Sequence, residues 1–529
     1  MRSVMIPTIM ERTNHRTATG LPDARTAVRF PYRTIALGIV GSVVVMLASF
    51  GAGGTVLDDP VFGDGPLSWI RYGHGKWLVG GTLYLGCALL VWSWVRLGRY
   101  VLRGVAGNRA VVTAAWCWAG PLVVAAPLFT RDVFSYLGQG AQLLHGLDPY
   151  ASGPATLRVL DDLVQNVHPL WQTTPAPYGP LFLLLAKGVV ALTGNHLLLG
   201  VIVTRTAVLP GLGMVLWALP RLARDLAGDP PVTMWLVVAS PMMVVHLIGG
   251  PHNDLLMLGA LSTGVLAALR GRHVLAVSLV TVGMLIKPTA ALALPFLVWM
   301  WANRLAVRKP VVRFLAAGGM AVAVFVVVFI GGTLLAFGSL NLGWLTGLRA
   351  PTMIVNWLHV PSGIGQLAHG MVELVVDIDD TLFVVVCRVV AGVILVAFVA
   401  RQWWLARHGG GEAVYRMALT LLVAALLAPP TLPWYFTWGL VLAAAFRWRV
   451  RQLRIAAGVS VFLVLAYYPT GEQAVYDWWY VAGVLVVSCY VAACVRRPDP
   501  VGLLAAWSRP GRMVGDTAGR PPASEDDVR

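Results

Sequence analysis

The chain has 529 residues, 57% of them hydrophobic and only 12% charged, with a formal net charge of +16. So little charge cannot coat a soluble globule of ordinary surface polarity, and no stretch is left over for a sizeable soluble domain. The basic excess falls in short clusters between apolar runs rather than on one face, which argues against a nucleic-acid surface and for the positive-inside loops of an all-α, many-spanning membrane protein.

In chain order, residues 1–33 carry Arg12, Arg16, Arg25, Arg29 and Arg33. They read as a disordered cytoplasmic start, too long and polar for a signal peptide, so the run 34–52 is an uncleaved anchor. Residues 80–97, 314–337 and 383–400 also approach or exceed the roughly 20 apolar residues that cross a bilayer. Placing the arginine clusters inside leaves loops 53–76, 131–177 and 338–380, the turn 249–254, and the turns near Thr431 and Asp477 on the extracytoplasmic side. Within the long loop, segment 133–144 and the helically spaced Leu157, Leu160, Val164 and Val167 are expected to lie along the membrane surface. Residues 178–193 break the alternation, since a full crossing would put Arg221 and Arg224 outside. This segment is expected to be re-entrant or interfacial, with Tyr178-Gly179-Pro180 against the Asp132 region. The count is about fourteen spans within 34–497, followed by a disordered cytoplasmic tail, 498–529. Cys87, Cys117, Cys387, Cys489 and Cys494 have neither zinc-site nor disulfide spacing and read as packing residues.

Arg131-Asp132-Val133-Phe134-Ser135-Tyr136 follows the apolar run 111–129 directly. A carboxylate at a helix mouth is costly unless hydrated, paired or used, so Asp132 is either an N-cap paired with Arg131 or a reactive group. His252-Asn253-Asp254 precedes another apolar run and reads as a cap or as part of a site. Lys287 lies between two short apolar segments, where a lysine either snorkels or meets an anion. It stands out in a chain that overwhelmingly uses Arg for its basic loops. Arg205, inside 201–216, is a second cation facing the bundle interior, as an anion contact or a structural ion pair. The outer aromatics Trp171, Tyr178, Trp434, Tyr435 and Trp438 read as belt residues. Pro433-Trp434-Tyr435-Phe436 and Asn356-Trp357-Leu358-His359 also suit a sugar ring.

Walker A, dinucleotide-binding and H-E-x-x-H patterns are absent from the sequence, as is any Cys/His cluster. One exposed carboxylate, nearby cations and aromatics suit glycosyl transfer from a lipid-linked sugar phosphate. A carboxylate takes the acceptor hydroxyl's proton, and the departing phosphate needs a cation rather than an acid. The Arg131–Tyr136 motif, Leu147-Asp148-Pro149-Tyr150, Ala176-Pro177-Tyr178-Gly179-Pro180, Gly249-Gly250-Pro251-His252-Asn253-Asp254, Ile354-Val355-Asn356-Trp357 and Leu432-Pro433-Trp434-Tyr435 together resemble the actinobacterial polyprenyl-phosphomannose-dependent mannosyltransferases of the GT-C class. In detail they are most similar to the α-1,6-mannosyltransferases that elongate the mannan of lipomannan and lipoarabinomannan. The resemblance implies a GT-C fold, Asp132 as catalytic base, polyprenyl-phosphate-mannose as donor, inversion at the anomeric carbon, an extracytoplasmic site in the plasma membrane, and no metal or other cofactor. Contacts to donor phosphate or substrate are expected from Arg131, Tyr136, Tyr178, Arg205, His252, Asn253, Asp254, Lys287, Asn356, Trp357, His359, Trp434 and Tyr435. The competing readings are a GT-C enzyme that moves glucose or arabinofuranose, and a sugar or lipid transporter, which would place charges at mid-membrane and show internal repeats.

Overall fold

The computed structural model describes residues 30–498 except 60, 158–159, 195 and 378, so the expected cytoplasmic start and tail lie almost wholly outside the described residues. Among the described residues the chain is helical, with one isolated antiparallel bridge between Tyr467 and Gln473. Helices α1 (Tyr32–Ala52), α2 (Gly73–Leu102) and α3 (Asn108–Leu122) are followed by α4 (Asp132–Leu144) and two short helices, α5 (Asp161–Asn166) and α6 (Pro169–Gln172). Next come α7 (Pro180–Thr193), α8 (Leu197–Asp225), α9 (Pro230–Val237), a π-helical segment Met242–Gly249, α10 (Asp254–Leu269), α11 (His273–Ile286), α12 (Leu294–Ala302) and α13 (Pro310–Phe337). The remainder is α14 (Trp344–Gly347), α15 (Val360–Glu373), α16 (Asp380–Leu405), α17 (Gly410–Leu427), α18 (Phe436–Ala443), α19 (Val450–Val464) and α20 (Trp478–Cys494).

Local chemistry sets several boundaries. Proline occupies the first turn of α7, α9 and α13, where its missing N–H costs nothing. Asp229, Asp379 and Asp477 accept backbone N–H groups at the starts of α9, α16 and α20. Among the described residues six helices are long and apolar enough to cross a bilayer, or seven if α9 and the π segment, bent by 48°, count as one. The chain also breaks apolar runs into pieces that are too short to span singly. Lys287-Pro288 splits 273–302 into α11 and α12, and the expected figure of about fourteen treated such pieces as spans.

Two surface-helix expectations need correction. The helix expected over 157–167 is reduced to α5, with Arg158 and Val159 outside the described residues. Segment 133–144 is helical, but every residue from Val133 to Leu143 is buried, so α4 is wrapped by protein rather than floated on the membrane. Gly140 permits this, because a Cβ there would run into the backbone of α7 at Ala186 and Lys187. The loop 338–380 is partly folded, containing α14 and α15.

Candidate active site

Two buried segments deliver the site. The first leaves α3 and reverses at Phe129, whose φ of 57° is rare for a bulky side chain. Its N–H donates to the Pro469 carbonyl at 2.9 Å and its ring meets His246 at 5.5 Å. Strain of about 1–3 kcal/mol persists only where the surroundings over-determine it. The reversal sets Asp132 at the start of α4, its N–H donating to Thr130 Oγ1 at 3.1 Å. Arg131 does not pair with Asp132. Its guanidinium donates to the Asn166 carbonyl at 3.0 and 3.3 Å and lies over the Phe134 ring.

The second segment is the π-helical turn, a form that recurs at functional sites, which leads into His252-Asn253-Asp254. Arg205 ties the two together. Its Nε and Nη2 donate to the Ile248 and Gly249 carbonyls at 3.0 and 2.7 Å. Its Nη1 donates to those of Val123 and Ala125 at 2.6 and 2.8 Å. With no exposed surface and its donors on backbone, Arg205 is a staple between the segments that carry the site, neither an anion contact nor an ion pair.

Asp254 caps nothing with its side chain. Its two oxygens take the Lys287 ammonium at 2.7 Å and the Trp438 indole N–H at 2.6 Å. Lys287 neither snorkels nor waits free for an anion: it is paired, and lies 4.6 Å over the Tyr435 ring and 5.4 Å over that of Trp438. The Tyr178-Gly179-Pro180 strap reaches this place because Gly179 donates to the Ile286 carbonyl at 3.1 Å, and a Cβ there would collide with Leu285. Asp132, Tyr178, Lys287, Tyr435, Trp438 and Trp171 thereby line one cavity of about 310 Å³.

Behind Asp132 stands His252, fully buried, with Nδ1 3.6 Å from Asp132 Oδ2 and its ring stacked 3.8 Å from Trp434. Among the described residues neither ring nitrogen of His252, neither amide atom of Asn253 and not the Trp434 indole N–H has a hydrogen-bond partner. Burial pushes the Asp132 carboxyl up to about 6, with Asp254 adding to the shift while Lys287 and the Thr130 hydroxyl oppose it. Burial, with His246 and Lys287 nearby, holds His252 well below its usual value, so the ring is neutral at neutral pH. Asp132 is therefore a carboxylate near its own titration point with an open side of 20% exposure, the condition a general base needs.

Other candidates are placed elsewhere. Tyr136 is buried edge-on against Tyr178 and Phe182, with its hydroxyl hydrogen-bonded to Tyr178 and within electrostatic reach of Asp132, and it does not itself line the cavity. Asn356 donates to the Thr431 carbonyl and accepts the His359 N–H, while His359 is bound to Ser362 and faces the Leu427 carbonyl. Both brace the loop that leads to Leu432 and are not at the cavity. Trp357 meets Trp478 edge-on at 5.1 Å and also lies outside it.

Sequence reasoning treated Trp438 and Trp171 as belt aromatics, yet both face the cavity. For Trp438 a signal was present: it is one helical turn beyond Trp434, whose motif had already been singled out. Nothing in the sequence distinguishes Trp171.

The profile described as "Alpha-(1->6)-mannopyranosyltransferase, N-terminal domain" matches residues 35–303, and "MptB C-terminal domain" matches 361–497. Alpha-(1->6)-mannopyranosyltransferase A of Mycobacterium tuberculosis is 37% identical over 89% of this chain and 91% of its own. The protein of the same name from Corynebacterium glutamicum is 33% identical over 82% and 92%, and alpha-(1->6)-mannopyranosyltransferase B of that organism 28% identical over 80% and 75%. No solved structure matches. By its N-terminal profile and by relatives above 30% identity along most of its length, the chain belongs to the alpha-(1->6)-mannopyranosyltransferase family and is a mannosyltransferase of the membrane.

Proposed function

We propose that the chain elongates an α-1,6-mannan, transferring mannose from polyprenyl-phosphate-mannose on the extracytoplasmic side with inversion at the anomeric carbon. Asp132 takes the proton of the acceptor's 6-hydroxyl as that oxygen bonds to the anomeric carbon. The bond from that carbon to the phosphate oxygen breaks with its electron pair, leaving polyprenyl phosphate, and Lys287 stabilises the charge that develops there. Phosphate leaves without a proton, so a single carboxylate suffices. We assign no metal to the reaction, and transfer is expected to persist in a chelator. The higher identity to the A-type relatives supports the elongating reading.

The observation that carries this reading is the shared cavity, where a raised carboxylate and a buried lysine face one space walled by Tyr178, Tyr435 and Trp438. Membranes containing the native chain or Asp132→Asn, supplied with radiolabelled polyprenyl-phosphate-mannose and a short α-1,6-mannoside, test it. Chain extension in the native protein and its near-complete loss in the variant are expected. Full activity in Asp132→Asn would remove the base, and no transfer to any mannoside would remove the acceptor.

A further inference from the structure

A cleft of about 510 Å³ lies between α2, α19 and α20 and shares no lining residue with the cavity at Asp132. It opens sideways between α2 and α20, where Ala88 and Val487 line its opposite banks and are both exposed. Along α20 it extends from Tyr480 to Cys494, which at 1.5 Å per residue is roughly 21 Å. Its two ends differ. One is closed by the Tyr84 and Tyr480 hydroxyls, 3.1 Å apart. At the other, an arginine from each flanking helix reaches the last carbonyls of α20. Arg99 Nη1 donates to Cys494 at 2.9 Å, with its guanidinium over the Trp92 ring, and Arg454 Nε donates to Ala492 at 3.0 Å.

Those bonds cap a helix C-terminus, which accounts for one donor of each guanidinium out of five. Arg96 lies one turn before Arg99, and Arg496 and Arg497 follow α20 directly, so positive charge accumulates at this end. Among the described residues no carboxylate pairs with Arg99 or Arg454. An apolar slot with hydroxyls at one end and unpaired cations at the other is shaped for an amphiphile whose negative group sits at the arginines. Basic pockets between membrane helices hold anionic lipid head groups in this way. We propose that the cleft binds one anionic phospholipid, its phosphate at Arg99 and Arg454 and one acyl chain between α2 and α20. On the sidedness proposed above, this lipid comes from the cytoplasmic leaflet. The hydroxyl end is the one towards Asp132, since Tyr480 meets the Tyr468 ring at 5.1 Å and Gly471 packs on Thr130. A phosphate at the arginines is therefore the whole cleft away from the base, and the occupant is not the sugar donor.

The test uses the full chain purified in detergent, with phosphatidylglycerol, phosphatidylcholine or polyprenyl phosphate as probe, read by thermal unfolding and native mass spectrometry. A Cβ at Gly483, in the cleft wall, meets nothing within 4 Å, so Gly483→Phe enters the cleft without a collision there. It also removes a glycine from a helix, and without added lipid it is expected to unfold no lower than the native chain. Phosphatidylglycerol is expected to raise the native unfolding temperature and to be retained at one per chain, and phosphatidylcholine to do neither. In Gly483→Phe both effects are expected to vanish. In the double variant Arg99→Gln, Arg454→Gln the apparent affinity is expected to fall about tenfold or more, the loss of charge-assisted contacts. Equal stabilisation by the two phospholipids, or retention of phosphatidylglycerol by Gly483→Phe, overturns the proposal. Polyprenyl phosphate that binds the native chain but not Gly483→Phe overturns it in favour of a prenyl lipid. A dimer that Gly483→Phe splits overturns it in favour of a second copy of the chain.

Discussion

The Asp254–Lys287 pair allows a quantitative test. Asp254 has no exposed side-chain surface and Lys287 only 10%, so each charge depends on the other and on its neighbours for what water would have supplied. Lys287→Met leaves a buried carboxylate with the Trp438 indole N–H as its remaining donor, and breaking a buried pair in this way costs about 3–5 kcal/mol. Asp254→Leu leaves the ammonium over Tyr435 and Trp438, whose faces return up to about 2 kcal/mol, so its cost falls at the lower end of that range, about 3 kcal/mol. The double variant removes both charges and is expected within about 1 kcal/mol of the native chain, or above it. Thermal unfolding in detergent of the native, single and double forms closes a mutant cycle with an expected coupling of about 3 kcal/mol or more. All three variants are expected to lose transfer, so stability and activity separate in the double. Single effects that add to within about 0.5 kcal/mol would mean that the pair is solvated, and would refute the buried arrangement.

On the proposed mechanism Asp132 acts only when ionised, so kcat/KM is expected to level off above its value of about 6 and to fall about tenfold per pH unit below it. A rate profile with its acid limb near 4 would contradict the role of burial. His252 Nδ1 stands at 3.6 Å, beyond hydrogen-bond range, so its ring works on Asp132 by excluding water. His252→Ala should move the acid limb downward, whereas an upward move would reveal a donated bond. Arg205→Lys cannot reach the carbonyls that the guanidinium spans. A loss of at least about 4 kcal/mol, from four buried carbonyls abandoned at about 1–3 kcal/mol each, is expected in thermal unfolding, with kcat reduced although the residue is not at the cavity. Gly179→Ala drives a Cβ into Leu285 and should displace Tyr178, raising KM in the mannoside assay while the fold survives.

Asp132 and Lys287 were legible in the sequence because a charge beside an apolar run is costly and so stands out. The same signal misplaced Arg205, since a cation that staples carbonyls and one that binds an anion look alike until its donors are located. Trp438 and Trp171 were hidden for a related reason: an aromatic at a helix end is a membrane anchor by default, and only tertiary contact brings these two to the cavity. The helix at 133–144 was readable from its periodicity, but its burial was not, because the cover comes from α7 across Gly140. Asn356 and His359 carried a polar motif whose use is local, a cap and a brace.

The site contains two carboxylates and one lysine, and that ratio has a mechanistic consequence. A lone aspartate beside a lone lysine in a cavity of low dielectric would form an ion pair, which lowers the carboxylate's basicity and occupies the oxygen needed by the acceptor. Here Asp254 takes the ammonium at 2.7 Å, with its other oxygen held by Trp438, so Lys287 is fixed at Asp254 and kept off Asp132. Burial and the neighbouring Asp254 can then raise Asp132 to about 6, where it is ionised at neutral pH yet basic enough to accept a proton. On the proposed reaction, a phosphate arriving at Lys287 meets a cation already positioned by Asp254, and needs no reorganisation as its charge grows. Asp254 is thus a positioning residue for both partners, which is why its loss is expected to silence a base that it does not touch.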